Sequence, residues 1–215
     1  MVNKKNESSS LPERYRDPKY TIFENLMPTD WLADVGQWLH SQRGQFLRGG
    51  DDGRGRYNWE LLNVDELYDQ ISYLKQAITD KIDDAVKEVG IEDFDLEYIE
   101  CHATLYHHGS HFVWHTDREG YNGQPATTRR LSYCLYMHSE PRMFSGGELE
   151  FINGTKIDAR HNRIVFFEPR QQHRVRRVEC WSADFLHGRW AIFGWIHGRR
   201  IGSADDPLEG EPLSG

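Results

Sequence analysis

Period-two patterning over the second half of the chain is the feature that most restricts its fold. Phe94, Leu96 and Tyr98 alternate with Asp95, Glu97 and Glu100, and the run continues through Cys101 to Tyr106. Such spacing turns apolar side chains to one face of a strand. Short strands recur at Leu131 to His138, Glu148 to Ile152, Thr155 to Ile157, Arg163 to Glu168, His173 to Val178 and Arg189 to His197. Asn153-Gly154 between two of them is a strong hairpin signal. Many short strands divided by turn residues predict a mainly β (α+β) chain built as a double-sheet jelly roll.

The first half supports that roll rather than extending it. Tyr20 to Phe23 reads as a short strand, and Pro28 opens a helix over about Thr29 to His40, with Leu32, Val35, Trp38 and Leu39 on one stripe. A longer apolar stripe, Leu67, Ile71, Leu74, Ile78, Ile82, Ala85 and Val89, predicts one helix from Val64 to Val89. Asn63 and Glu66 offer it a capping box, and Gly90 ends it. Between the helices, residues 48–56 (R-G-G-D-D-G-R-G-R) read as a glycine-rich loop without the phosphate-binding G-x-x-x-x-G-K-[ST] pattern. The expected organisation is a flexible arm at 1–19 and a single domain at 20–200. That domain has helical support at 20–92 and a jelly-roll core at 93–200, and a disordered tail follows at 201–215.

Aromatic residues make up 13% of the chain and mean hydropathy is -0.75, so Trp, Tyr and Phe must fill much of the core. No window reaches the roughly 20 apolar residues of a membrane helix. The N-terminus (M-V-N-K-K-N-E-S-S-S) lacks a secretory segment. Three widely spaced cysteines, Cys101, Cys134 and Cys180, suit neither a disulfide framework nor a thiolate zinc site. A cytoplasmic location is expected. Net charge is -8, yet residues 101–200 hold 14 Lys+Arg against 9 Asp+Glu. Anionic ligands are expected to enter this basic half.

The chemistry concentrates between Tyr106 and Asp117, Y-H-H-G-S-H-F-V-W-H-T-D. If Phe112 to Asp117 is a strand, His115 and Asp117 point to the same face and their donor atoms converge. Two His and one carboxylate with open positions opposite suit non-haem Fe(II). His173, in R-Q-Q-H-R-V straight after the apolar run Ile164 to Phe167, is the candidate for the second His.

The order Y-x-x-G, H-x-D, a Gly-Gly-Glu-Leu turn at Gly146 to Leu149, a distal His and a final R-W-x-x-x-G-W strand at Arg189 to Trp195 resembles the iron- and 2-oxoglutarate-dependent oxygenases, in their prolyl 4-hydroxylase-like branch. The resemblance covers roughly residues 94 to 198. It implies a double-stranded β-helix with helices on one side, and the cofactors Fe(II), 2-oxoglutarate and O2, with ascorbate as an accessory reductant. It maps His115, Asp117 and His173 onto the iron ligands. It maps Arg189 and Tyr136 onto the residues holding the far carboxylate of 2-oxoglutarate, and Tyr106 beside iron and cosubstrate. Arg189 follows His173 by 16 positions rather than about ten as in many relatives, which makes a longer loop and leaves Arg176 and Arg177 as alternatives. Asp117 stands where halogenating relatives carry a small residue, so the resemblance implies a hydroxylase.

The implied reaction hydroxylates an unactivated C–H bond while 2-oxoglutarate becomes succinate and carbon dioxide. The substrate is a small molecule, amino-acid-like or a natural product, or a peptidyl proline in a short peptide. Arg118 and Tyr121, Trp181 and Phe185, and the loop at 49–55 are candidates for its closure. His107, His108 and His111 read as solvated or supporting residues rather than a second metal site. Two other classes stay open. One is a jelly-roll module that binds a metal or small acid without turnover. The other is a nucleic-acid demethylase of the same superfamily, suggested by Arg170, Arg174, Arg176 and Arg177 and weakened by the overall charge of -8.

Overall fold

The structure is a computed structural model that describes residues 17–49, 56–61, 64, 68–118 and 128–201. Residues 1–16 of the expected arm, the middle of the glycine-rich loop, the capping box at Asn63 and Glu66, Tyr121 and the tail from 202 lie outside the described residues.

In chain order the strands are β1 (Tyr20–Glu24), β2 (Leu47–Gly49), β3 (Arg56–Leu61), β4 (Phe94–Ile99), β5 (His102–Tyr106), β6 (His111–His115) and β7 (Arg129–Met137). They continue with β8 (Phe144–Gly146), β9 (Leu149–Phe151), β10 (Lys156–Ile157), β11 (Arg163–Phe167), β12 (His173–Val175), β13 (Val178–Cys180) and β14 (Arg189–Arg200). Helices α1 (Thr29–Ser41), α2 (Tyr68–Thr79) and α3 (Ile82–Val89) precede β4. Strand pairing runs β1-β11-β7-β14-β5-β3-β6-β12-β9-β10, with β2 on β3, β4 on β14 and a separate β8-β13 pair. β3 carries the ladder from a large sheet to a small one, pairing β5 at one end and β6 at the other. The result is a mainly β double-stranded β-helix.

Strand alternation sorts the core into two layers. On β7, Leu131, Tyr133, Leu135 and Met137 face the helices, packing with Leu32, Val35, Leu74, Ile78 and Val86. Tyr136, on the other parity, joins Ala191, Val165, Phe167, Leu149 and Phe151 between the sheets. Trp190 and Ile192 of β14 follow the same rule outward, while Arg189 and Ala191 turn inward. The outer layer is why the apolar stripes of the helices exist.

Three details depart from the sequence reading. The predicted long helix is two: the chain turns at Asp80 and Lys81, where Lys81 N donates to Ile78 O at 2.9 Å, an i−3 bond that tightens the last turn and redirects the axis. Gly90 still closes α3, at φ 70°. The expected loop at 48–56 is strand at both ends, since Arg48 and Gly49 belong to β2 and Arg56 opens β3, segments too short or too glycine-rich for their pattern to stand out. The expected strand from His173 to Val178 divides at Arg176-Arg177, so that β12 serves the small sheet and β13 pairs β8. Asn153-Gly154 does close the β9-β10 hairpin, with Gly154 at φ 91° and its amide on Phe151 O at 2.8 Å. Among the described residues, no helix is long and apolar enough to cross a membrane.

Candidate functional site

His115 ends β6 and His173 begins β12, and the two are direct partners across the antiparallel ladder. Asp117 is not in the strand. β6 stops at His115, and Asp117 sits in the following turn with its amide on Pro169 O at 2.9 Å. The parity argument is therefore corrected: a turn anchored to the β11-β12 connection, and not strand pleat, brings the carboxylate round. Asp117 Oδ1 lies 3.7 Å from His115 Nε2, and Oδ2 lies 3.8 Å from His173 Nε2. One donor atom from each of the three lies within 4.8 Å of the others.

Both imidazoles are oriented alike. His115 Nδ1 bonds Val113 O at 2.9 Å and His173 Nδ1 bonds Gln171 O at 2.8 Å. A carbonyl only accepts, so Nδ1 carries the proton and each Nε2 presents a bare lone pair. Phe112 stacks on His115 at 3.7 Å between centroids, and Phe167 packs edge-on against His173 at 4.8 Å. Burial works to raise the pKa of Asp117, but His173, His115, the Ser132 hydroxyl and Arg129 outweigh it and hold the carboxyl below its ordinary range. Ser132 Oγ donates to Oδ2 at 2.6 Å, and Arg129 Nη1 donates to the Asp117 carbonyl at 2.9 Å. The sequence reading missed both supports. Ser132 carried a signal, since it shares inward parity with Tyr136 four residues later on β7.

The three residues open into a cavity also lined by Tyr106, Tyr136 and Arg189. Arg189 is 2% exposed. Its guanidinium lies 4.8 Å from the Tyr106 ring centroid and 4.7 Å from that of Tyr136. Among the described residues, Nε of Arg189 and the hydroxyl of Tyr136 are buried without a hydrogen-bond partner. Among the described residues, no carboxylate pairs with Arg189. Burial raises the Tyr136 pKa well above its ordinary value, so its phenol stays protonated and able to donate. The Gly-Gly-Glu-Leu turn makes room for this arginine: Gly147 has φ 74°, and a Cβ there would meet Arg189 Cδ at 2.7 Å. The remainder of the lining includes Phe193 and Trp195, whose Nε1 is also buried without a partner.

The alternatives to Arg189 lie elsewhere. Arg176 bonds Glu150 at 3.1 Å and Arg177 bonds Glu179 at 2.9 Å, and neither lines the cavity. Arg174 Nη2 reaches Glu150 Oε2 at 2.7 Å. The basic run after His173 is thus largely neutralised on the protein itself.

A second close group, His138, Glu140 and His161, was not marked by its spacing. His138 Nε2 accepts from the His161 amide at 2.9 Å, and His161 Nδ1 accepts from the His138 amide at 3.1 Å. His138 Nδ1 donates to Ser139 O at 2.9 Å, which commits both of its nitrogens. This is a clasp between the end of β7 and the turn before β11. His107, His108 and His111 bond Asp184 O, Glu179 and Gly109 O respectively, and do not join the triad.

Residues 101–197 match the family model described as 2OG-Fe(II) oxygenase superfamily. That match spans somewhat less than half of the chain and includes His115, Asp117, His173 and Arg189. A curated relative, an uncharacterized PKHD-type hydroxylase of Synechocystis sp., is 29% identical over 136 residues, covering 57% of this chain and 44% of its own length. The chain thus spans less than half of that relative. Among solved structures of similar fold is a Trichoplax adhaerens prolyl hydroxylase in complex with a hypoxia inducible factor oxygen degradation domain peptide (TM-score 0.62, 18% identity, 89% of each chain). Another is a non-heme alpha-ketoglutarate-dependent epimerase from nogalamycin biosynthesis (TM-score 0.60, 15% identity, 94% of this chain and 93% of the epimerase).

Proposed function

We propose that this chain is an Fe(II)- and 2-oxoglutarate-dependent hydroxylase, in which His115, Asp117 and His173 hold iron while Arg189 and Tyr136, with Tyr106 beside them, hold 2-oxoglutarate. The observation that carries the reading is Arg189, a buried cation without a carboxylate partner among the described residues, in the same cavity as the His-Asp-His group. An uncompensated buried charge costs several kcal/mol unless an anion joins it. 2-Oxoglutarate, a dianion, would supply that partner at Arg189 through paired charge-assisted hydrogen bonds.

The donor set suits the metal, with two neutral imidazoles, one anionic carboxylate and no thiolate. Bound iron with 2-oxoglutarate and O2 supplies the oxidising power, through decarboxylation to succinate, and ascorbate serves to keep the iron ferrous. The protein's part is placement. The carbonyls of Val113 and Gln171 fix the imidazole tautomers, Ser132 aims the Asp117 carboxylate, and Tyr136 donates its phenolic proton beside Arg189. Phe112, Phe167 and Phe193 keep water from the reacting centre.

The substrate we assign is an unactivated C–H bond of a small molecule or of a short peptide containing proline. Both classes have a precedent in fold: the Trichoplax enzyme is solved with a peptide and the epimerase belongs to natural-product biosynthesis. Nucleic-acid demethylation has less support, because Arg174, Arg176 and Arg177 are engaged by Glu150 and Glu179. A reducing, cytoplasmic setting fits a chain in which no disulfide joins Cys101, Cys134 and Cys180.

The test is succinate release by anaerobically iron-loaded protein exposed to O2, with a panel of amino acids and a proline-rich peptide. Turnover that rises with one panel member is expected, as is its loss in His115→Ala and Asp117→Ala. Undiminished succinate in both variants overturns the ligand assignment, and no succinate from iron-loaded wild type leaves a binding module instead.

A further inference from the structure

Trp195 lines the same cavity as the His-Asp-His group, and among the described residues its Nε1 is buried without a hydrogen-bond partner. An indole N–H only donates, and a buried donor left unpaired is costly. Neither the iron ligands nor the groups assigned to 2-oxoglutarate use it.

The ring that carries this donor is held in place. Trp195 O accepts from the Glu100 amide at 2.9 Å, and Gly194 beside it packs so closely on Glu100 O that a Cβ has no room. The Arg129 guanidinium lies 3.4 Å from the centre of the indole ring, while Phe193 meets the ring edge-on at 5.9 Å and His102 at 5.8 Å. Arg129 is itself paired with Glu100 at 3.8 Å and bonded to Asp117 O at 2.9 Å. It therefore serves the indole as a fixed planar support and not as a charge for a ligand.

Position separates the donor from the cosubstrate. Arg189, Ala191, Phe193 and Trp195 share one parity on β14, and the first and last are six positions apart, about 20 Å along the strand. Trp195 is the direct partner of Ser132 across β7 and β14, and Ser132 Oγ donates to Asp117 Oδ2 at 2.6 Å. The indole thus stands on the Asp117 side of the cavity, at the end away from Arg189.

We propose that the Trp195 indole N–H is a specificity-determining donor for the substrate, pairing with a carbonyl-type oxygen, of a carboxylate or an amide, carried near the C–H bond that reacts. The inference rests on the hydroxylase reading above and adds the functional group that the substrate must carry. Phe112, Val175 and Phe193 make the neighbouring wall apolar, so the indole N–H is a directional contact in otherwise featureless surroundings. A hydrocarbon or a cation placed there leaves the N–H unpaired, and a site built to donate discriminates against such an analogue.

The experiment observes the indole directly. The full chain, labelled with nitrogen-15, is loaded with Zn(II), a redox-silent stand-in for iron, and with 2-oxoglutarate, and the indole resonances of its seven tryptophans are followed by NMR. Trp195→Phe identifies the resonance of Trp195. The probes come from the substrate classes proposed above: L-proline carries a carboxylate, N-acetyl-L-prolinamide carries only amide carbonyls, and pyrrolidine has the ring and neither. A saturable downfield shift of the Trp195 indole proton is expected with at least one of the first two, and the larger response names the source of the oxygen. Calorimetric affinity for that probe is expected to fall about tenfold in Trp195→Phe and to recover in part in Trp195→His, which returns a ring N–H. An equal shift with pyrrolidine overturns the proposal, because filling the cavity would then suffice. So does a resonance that no probe moves, or an affinity that Trp195→Phe leaves unchanged. The hydroxylase reading is checked on the same protein by the rise in melting temperature that 2-oxoglutarate gives only with metal. Absence of that rise takes both readings down, whereas its presence with a stationary indole resonance overturns this one alone.

Discussion

At the residue scale, the basic half of the chain departs from ordinary folding economy at Arg189. A guanidinium 2% exposed, flanked by two tyrosine rings and with Nε unpartnered, is expensive to keep in the protein alone. Arg189→Met keeps length and removes the charge. The variant is expected to melt no lower than wild type, while KM for 2-oxoglutarate rises about a hundredfold, consistent with losing two charge-assisted hydrogen bonds at about 1.5 kcal/mol each or less. Steady-state kinetics and a thermal melt read the two effects separately, and a large loss of stability without a KM change counts against the assignment. Ser132 acts on Asp117 instead of on a ligand. Ser132→Ala frees the carboxylate from its 2.6 Å hydrogen bond and is expected to weaken iron retention about tenfold, measured by competition with a chelator, with an unchanged melt.

At the element scale, the junction of β4 with β5 shows both what could be read from sequence and what could not. The strands themselves were legible, because period two survives in any short strand whose faces differ in polarity, whereas Tyr106, Tyr136 and Arg189 were singled out by the family resemblance, and all three line the cavity. Glu100 carried no such signal. It follows the end of β4, yet its carboxylate gathers His102 Nε2 at 2.7 Å, His197 Nε2 at 3.0 Å and Arg129 Nη2 at 3.8 Å from three other strands. Only the packed sheet brings those together. The Asp117 turn was misread for a related reason: its anchor, Pro169 O, is 52 positions away, and no local pattern reports it. Burial opposes the charge on Glu100, but His102, His197 and Arg129 prevail and bring its pKa from 4.5 to about 2. A folded-state pKa below the unfolded one adds stability that is present above about pH 4.5 and lost as pH falls toward about 2. Glu100→Gln is therefore expected to melt lower than wild type at pH 7, with the two melting temperatures converging across that acid window. Parallel curves would remove Glu100 as the strand tie.

At the scale of the whole molecule, the two halves of the site belong to different sheets. His115 and His173 stand on β6 and β12 of the small sheet, while Arg189, Tyr136 and Tyr106 stand on β14, β7 and β5 of the large one. A metal held by the first group would fasten the Asp117 turn to the small sheet, and a dianion held by both the metal and Arg189 would tie the two sheets together. Stabilisation should then come in two separable steps. Mn(II), a redox-silent stand-in for iron, at about 100 times its Kd adds about 2.7 kcal/mol, or about 5–10 °C in a chain of this size. Adding 2-oxoglutarate raises the melting temperature again, but only with the metal present, because the cosubstrate needs both anchors. Asp117→Ala is expected to lose both steps and Arg189→Met only the second. A 2-oxoglutarate shift that survives chelation, or that persists in Arg189→Met, would show that the acid does not bridge the sheets.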